Sequence, residues 1–590
     1  MKVEDKLLSS TFERKLREVN LIEMHYHLKK GGVRTVIENS VEALAAYGNF
    51  DSLNIGIIAG LGADHLDTRR HLKDSGGKNI GISYIDFPEL GYSDRIFPNR
   101  EIFLEQANRL KDKLLQVLQV EKYSPSNPLV LHIHNFSLGK NAVASAAVKL
   151  FTQESCERKY PVWILYHIHD FAENSRPDRL YALQHCTGRE DKEFASFIMY
   201  PNERNVFYLV LNSSDYENVL ELGISPKRVY LIPNSVNVEF FSSVPITKRE
   251  KFKKQLVERI EEYAQSNGYE FDGSRKILLS PLRIMLRKNN LESILLLEVF
   301  NRINGDQYGL VITLDADSPN HILYSKKLKE FIKENSLPVV IGVGEELISK
   351  DYSRVRRGER VEAFNLVDLL HISDAIITTS VLEGFGFMYV EGLLANKLVV
   401  GRKIPYVCDS FEANGMRLDH LYTRIAIDVK WVSGGARRIV REYFKKINDL
   451  RKAYGLGISS LKKIERELRK KKFLKKKDRI CIDFSDLSLE MQEEVFLKIR
   501  NDEKIFSEFL GLNPKIKQTA KLIKSKNIGL INYNKRVVEE KYSLNAMAKR
   551  LVNAIAIGNS NYRKNIRGRR IDNSKLIKKF LDMKVVKLLY

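Results

Sequence analysis

Glu383-Gly384-Phe385-Gly386-Phe387-Met388-Tyr389-Val390-Glu391 follows directly on the run from Asp374 to Ser380, which reads as a buried strand. Two carboxylates eight residues apart bracket a Gly-Phe-Gly turn. Glycines let a backbone turn come close to a ligand and take dihedrals other residues avoid, and the helix predicted after them aims unpaired N–H groups at a diphosphate. One carboxylate sits in the turn and one on the helix. Carboxylates accept hydrogen bonds from neighbouring hydroxyls of a ring, so the pair suits a sugar nucleotide, one acid for each carbohydrate part. A plain strand, turn and solvated helix face would use the same letters, and context decides between the two.

That context is α/β. A chain of 590 residues exceeds one ordinary core, so two or three domains are expected, and 44% hydrophobic content speaks for a globular protein. Short apolar runs alternate with helix-length segments, the pattern of parallel sheets covered on both faces. The first set holds Leu21 to His27, Leu53 to Ala59, Leu129 to His134, Val162 to His169, Val206 to Leu211 and Val229 to Ile232; the second holds Ile277 to Ser280, Leu310 to Leu314, Val339 to Val343, Ala375 to Thr379 and Leu398 to Val400. We read residues 1–240 and 275–435 as two doubly wound α/β domains joined by a linker helix at 241–274; the resemblance described below implies that they are an N-terminal Rossmann-like acceptor-side domain and a C-terminal Rossmann-like nucleotide-sugar domain. Residues 436–530 read as a basic insertion, 531–560 as a helix returning to the first domain and 561–590 as a basic amphipathic tail. Ligands of doubly wound sheets bind beyond the carboxyl ends of the strands, here in a cleft between the domains.

Cys156, Cys186, Cys408 and Cys481 are scattered, without a Cys-x-x-Cys pair, so neither a disulfide framework nor a thiolate metal site is expected. No apolar run approaches a membrane span, and Met1 to Arg17 is charged throughout, so we expect a cytoplasmic protein, at most peripheral on the inner face of the membrane. The net charge of +23 is concentrated. Leu461 to Arg479 carries eleven Lys/Arg against three Asp/Glu, and Arg563 to Tyr590 ten against two. The tail interleaves Leu576, Ile577, Phe580, Leu581, Leu588 and Leu589 with lysines, which suits an anionic membrane surface, a domain cap or a partner contact. Nucleic acid is disfavoured, because basic runs stand without a zinc-finger or RNA-recognition signature.

Taken in order, four landmarks resemble the GT-B glycosyltransferases, most of all the large retaining family 4, over roughly residues 20–435 and 532–556. Gly31-Gly32-Val33-Arg34 resembles the family's glycine loop at the start of the first long helix. His169-Asp170, ending an apolar strand, resembles its histidine facing the donor sugar. Arg283 and Lys288 resemble the cationic pair on the donor's diphosphate, and Glu383 with Glu391 matches the E-x7-E element. Leu282, Asn289 and Asp315 stand where glycines are usual, which bears on base recognition. The resemblance implies two Rossmann-like doubly wound domains facing a cleft, with a basic helical C-terminal extension. It implies transfer, with retention, from a nucleoside diphosphate sugar to a hydroxyl acceptor that is a sugar, sugar acid, phosphorylated or lipid-linked molecule.

By that reading His169, Asp170, Arg283, Lys288 and Glu383 are catalytic. Gly31, Gly32, Gly384, Phe385, Gly386 and Glu391 join Arg283, Lys288 and Glu383 in holding the donor. Lys140, Arg176 and Arg179 lie near enough in sequence to strand ends to meet an anionic acceptor, although lysine and arginine are mostly plain surface charges. No cofactor or metal is expected, because preorganised cations take a metal's part against a leaving diphosphate. Asp315-Ala316-Asp317 spells a metal-binding Asp-x-Asp, read as a chance match. The pairs His25/His27, His132/His134 and His167/His169 could converge as a zinc site, but no acidic or cysteine ligand shows the expected spacing, and core or cleft-lining histidines fit better. The alternatives are an epimerase or phosphorylase on the same fold and a non-catalytic nucleotide-sugar-binding protein. The last is expected to have lost charged motif members, all of which are present.

Overall fold

The computed structural model describes residues 16–29, 31–60, 79–174, 176–242, 246–305, 307–349, 354–357, 360–476, 478–561 and 570–589. Two compact units result. One takes Met1–Val236, Asp449–Gly457 and Tyr542–Asp582; the other takes Asn237–Asn448, Ile458–Lys541 and Met583–Tyr590. The segment read as a returning helix is therefore divided, with the helix Leu544–Asn561 in the first unit.

The first unit is built on β1 (Leu16–His25), β2 (Phe50–Ala59), β3 (Asn79–Asp86), β4 (Leu129–His134), β5 (Val162–Ile168), β6 (Val206–Val210) and β7 (Val229–Leu231), all parallel, in the order β3-β2-β1-β4-β5-β6-β7. Every residue of β4, β5 and β6 is buried, as expected of parallel strands covered on both faces. The order reverses between β1 and β4, which is the switch point where doubly wound sheets bind ligands. The helix Leu544–Asn561 packs on Gly32–Tyr47, and Trp163 Nε1 donates to Asn559 at 2.8 Å.

The second unit centres on β8 (Lys276–Arg283), β9 (Tyr308–Leu314) and β10 (Val339–Ile341). After the antiparallel hairpin β11 (Val355–Arg357) and β12 (Arg360–Ala363) come β13 (Ala375–Thr378) and β14 (Leu398–Gly401). Its parallel sheet runs β10-β9-β8-β13-β14, with the switch point between β8 and β13. The basic insertion is not wholly helical: β15 (Ala426–Asp428), β16 (Leu474–Lys476) and β17 (Arg479–Asp483) form an antiparallel sheet beside the helix Leu461–Lys471.

Of the readings open for the tail, the structure favours a domain cap: Leu576, Ile577, Phe580 and Leu589 are buried, and Leu581 and Leu588 half-buried. Lys587 is not a surface charge, sitting 2.8 Å from Asp486. Among the described residues no helix is long and apolar enough to cross a membrane.

Candidate active site

In the second unit the loop after β8 and the loop after β13 meet at the switch point. The 3-10 turn Leu286–Lys288 ends in Asn289, whose φ of 53° is left-handed. Asparagine is among the few non-glycine residues that accept this, which explains its place where a glycine is usual. The Thr379 hydroxyl, just past β13, bonds the Lys288 carbonyl at 3.0 Å and the Asn289 carbonyl at 3.1 Å. This stitching aims Lys288 Nζ at Glu383 Oε1, 2.5 Å away, with both side chains buried. Burial works to raise the Glu383 carboxyl, but Lys288 and then Arg287 overcome it and hold it below its usual range. The Glu383 N–H donates to the Tyr406 hydroxyl at 3.0 Å.

Gly386 starts the helix Phe387–Leu394 with φ 88°, and a Cβ there would lie 2.8 Å from the Tyr389 ring. A glycine is needed on both counts. Among the described residues no side chain caps that helix, and apart from the Tyr389 N–H, which bonds the Gly386 carbonyl at 3.0 Å, the backbone of its first turn suits an anion. Gly384 lies in the same turn, whereas the Phe385 ring is buried between Phe387 and Phe411, leaving only its backbone for a ligand. Glu391 is half-buried on the helix, and among the described residues its carboxyl has no hydrogen-bond or ion-pair partner. Burial pushes it up to about 7.

Arg283 faces elsewhere. It donates to the Asp315 carbonyl at 2.8 Å and lies 3.4 Å from Asp317 and 3.8 Å from Glu345. The Asp315 carboxylate is taken by Ser325 and Lys329, so the Asp-x-Asp letters are spent on contacts inside the unit.

In the first unit His169 and Asp170 lie directly after β5, one strand from the switch point, against the residues that follow β4. The Asp170 N–H donates to Asn135 Oδ1 at 3.0 Å, and Ser137 donates to its carbonyl at 2.8 Å. Arg176 pairs with the Asp170 carboxylate at 3.0 Å. Gly31 and Gly32 are exposed, with open space where a Cβ would stand. Lys140, Arg176 and Arg179 come together around the exposed Tyr92. Lys140 Nζ lies 5.2 Å from the Tyr92 ring centre, and His27 packs edge-on against the same ring at 4.8 Å. Arg179 donates to the Gly139 carbonyl at 3.2 Å and pairs with Asp94. Burial, then Arg179 and Arg176, hold the Lys140 ammonium below its usual range. Tyr92 also lines a cavity of about 630 Å³ with His27, Lys29, Arg95 and Asn141.

Sequence reasoning missed Tyr92, Arg287 and Tyr406. Arg287 stood beside Lys288 and could have been noticed, but nothing local marks either tyrosine.

No family model matches the chain. It is 26% identical over 512 residues, 86% of each chain, to the mannosylglucosyl-3-phosphoglycerate synthase of Petrotoga mobilis (strain DSM 10674 / SJ95). Similar solved structures include Anabaena Alr3699/HepE in complex with UDP and glucose, at 12% identity and TM-score 0.48, covering 91% of this chain and 99% of that one. Another is a glycosyltransferase from Rickettsia africae ESF-5, at 14% identity and TM-score 0.46, covering 93% and 100%. Two doubly wound parallel sheets in one chain are what the structure shows, and along most of its length the chain is similar to a relative that bears the name of a glycosyltransferase.

Proposed function

We propose that this chain is a glycosyltransferase that moves a sugar from a nucleoside diphosphate sugar to a hydroxyl of a small anionic acceptor, retaining the anomeric configuration and using no metal. The observation that carries the acceptor class is the gathering of Lys140, Arg176 and Arg179 around Tyr92. Three cations share two carboxylates, those of Asp94 and Asp170, and Lys140 is disfavoured as a cation first by burial and then by the other two. A phosphate or carboxylate placed there relieves that repulsion, and arginine's planar fork matches its oxygens. The phosphoglycerate in the relative's name is an anion of this kind.

On the donor side, negative charge grows on the leaving diphosphate. Lys288 and the N-terminus of Phe387–Leu394 oppose it, with Arg283 in reserve should it leave its acidic neighbours. Glu383 and Glu391 take hydroxyls of the sugar and the ribose. The leaving phosphate accepts the acceptor's proton on the same face, so no enzymic nucleophile is required. His169 stands against the donor sugar, and Asp170 is oriented toward the reacting hydroxyl.

The purified protein, incubated with a panel of nucleotide sugars and with a phosphorylated sugar and its dephosphorylated counterpart as acceptors, should use the phosphorylated one. Arg176→Ala or Arg179→Ala should raise KM for it roughly tenfold, the loss of one charge-assisted hydrogen bond, with nucleotide affinity unchanged. Equal use of the neutral acceptor, or an inverted product by NMR, would overturn this reading.

A further inference from the structure

Glu173 stands three residues after Asp170 and three before Arg176, and it is fully buried. Three distant stretches of the chain take hold of it. Tyr200 donates its hydroxyl to Glu173 Oε2 at 2.8 Å, Asn573 of the tail donates Nδ2–H to Oε1 at 2.7 Å, and the Tyr454 hydroxyl donates to the Glu173 carbonyl at 3.0 Å. All four residues belong to the first unit, and the three donors are buried with the group they serve. Removing one of them leaves an oxygen of Glu173 without water to replace it.

The hold runs along the neighbouring backbone. On one side the Asp170 N–H is tied to Asn135 and the Ala172 N–H to the Ser137 carbonyl at 3.4 Å, both just past β4. On the other, the buried Phe171 ring lies 6.2 Å from that of Phe580, on the helix Ser574–Phe580 that follows Asn573. The tail is itself fastened, because the Asp572 N–H bonds the Leu222 carbonyl at 3.2 Å and Lys579 bonds Asn218 on the helix Ser213–Glu221. Apolar contacts of Leu576, Ile577 and Phe580 would suffice to cover the unit. A buried carboxyl is a costly addition: burial raises Glu173 above its usual range, with Asn573 and then Tyr200 working against it. What such a group adds over an apolar side chain is direction, since its hydrogen bonds are all made in one arrangement only.

We propose that Glu173, Asn573 and Tyr200 are positioning residues for acceptor binding: through them the C-terminal tail fixes the segment that presents Asp170 and Arg176, so that the tail completes the acceptor site as well as covering the unit. This rests on the reading that Asp170 and Arg176, which pair at 3.0 Å, meet an anionic acceptor. It gives the tail a part in the reaction without contact to any substrate, since a shift of the segment's middle moves both of the residues at its ends.

Tyr200→Phe removes one hydroxyl and keeps the ring, whereas Asn573→Asp sets a second carboxyl against Glu173. In the full-length protein, assayed well below its melting temperature, each should lower kcat/KM for the phosphorylated sugar that the parent uses, Asn573→Asp roughly tenfold and Tyr200→Phe less, with affinity for UDP and GDP by calorimetry unchanged. Glu173→Gln/Asn573→Asp exchanges amide and carboxyl, restores the bond and should return kcat/KM to the parent's value. If both single variants lower only the melting temperature and leave kcat/KM of the folded protein as it was, the clamp is structural and the proposal is overturned. A loss that the exchange does not restore, or a nucleotide affinity that falls in step with kcat/KM, overturns it as well. Arg176→Ala tells these failures from failure of the acceptor reading. Weakened acceptor use in Arg176→Ala beside normal use in Tyr200→Phe and Asn573→Asp removes the clamp alone, whereas normal use in Arg176→Ala removes the acceptor reading and the proposal with it.

Discussion

The two switch points bury polar groups in different company. At the first, imidazoles crowd around the buried Glu23 side chain, and burial disfavours the charged form of His134; at the second, Lys288 and then Arg287 hold the Glu383 carboxyl below its usual range against the burial that works to raise it. Behind the second lies a further buried ion network: Arg402 bonds Glu292 at 2.6 Å and Asp483 at 2.8 Å, with the Tyr422 hydroxyl on Glu292 at 2.7 Å. Neutral rings cost less to bury than ions, and their protons can be arranged to point. A buried ion pair is costly to assemble, but once built it presents charge with no reorganisation. The difference matches the chemistry assigned to each place. Sugar hydroxyls are sorted by hydrogen-bond direction, whereas a departing diphosphate calls for fixed positive charge.

The largest effect should come from removing that fixed charge. Lys288→Met should lower turnover roughly 10²–10³-fold, the usual loss for one preorganised donor to developing charge. It also strands Glu383, which should cost about 3–5 kcal/mol of stability. The double variant Lys288→Met/Glu383→Gln separates the two effects: the melting temperature should recover and turnover should not. If the double variant regains turnover, Lys288 acts only as a structural partner and the contrast between the switch points collapses.

What could be read in advance follows from how each signal is encoded. β4, β5 and β6 are buried along their whole length, so Leu129 to His134, Val162 to Ile168 and Val206 to Val210 announce themselves as apolar runs. β3 is an edge strand with no fully buried residue, and Asn79 to Asp86 offers no such run. β16 and β17 were hidden for a related reason, because a lysine-rich stretch reads as solvated even where Lys472 is buried against Asp486 at 2.5 Å. Motif spacing singled out Lys288, Glu383 and Glu391 as candidates because each depends on a strand end and a fixed offset, and the structure brings Lys288 and Glu383 together. The partners of Arg283 come from the loop after β9 and the helix Val343–Leu347, many residues away, and no local pattern could reveal them. In the tail the amphipathic pattern was real, but it shows a face and never says what covers it.

A smaller effect tests whether Glu391 is poised between the two styles of burial, since it is an acid with no cation beside it. With its carboxyl near 7, it loses the charged form as pH falls from 8 to 6. The carboxylate accepts from two ribose hydroxyls and the protonated acid does not, so nucleoside diphosphate affinity should weaken on acidification. Glu391→Gln should bind roughly tenfold more weakly at pH 8, one charge-assisted hydrogen bond lost. Calorimetry at both pH values should show the gap between parent and variant narrowing at pH 6, a comparison that cancels titration of the nucleotide itself. A gap that stays constant, or is absent, would place the ribose elsewhere.

The smallest expected effect separates the two ways of meeting a diphosphate, by cations already in place or by a metal held on acids. Asp317 is mostly exposed and lies 3.4 Å from Arg283, a pairing worth at most about 1 kcal/mol at such a surface. Asp317→Asn should therefore leave the melting temperature almost unchanged, and it should leave turnover intact or slightly raised as Arg283 is freed to turn toward phosphate oxygens. Activity of parent and variant should persist in a strong chelator. The opposite result is equally clear. If Asp317→Asn abolishes turnover while the protein stays folded, and magnesium or manganese restores a chelated parent, then Asp315-Ala316-Asp317 holds a metal with the donor, and the second switch point depends on more than the charge of Lys288.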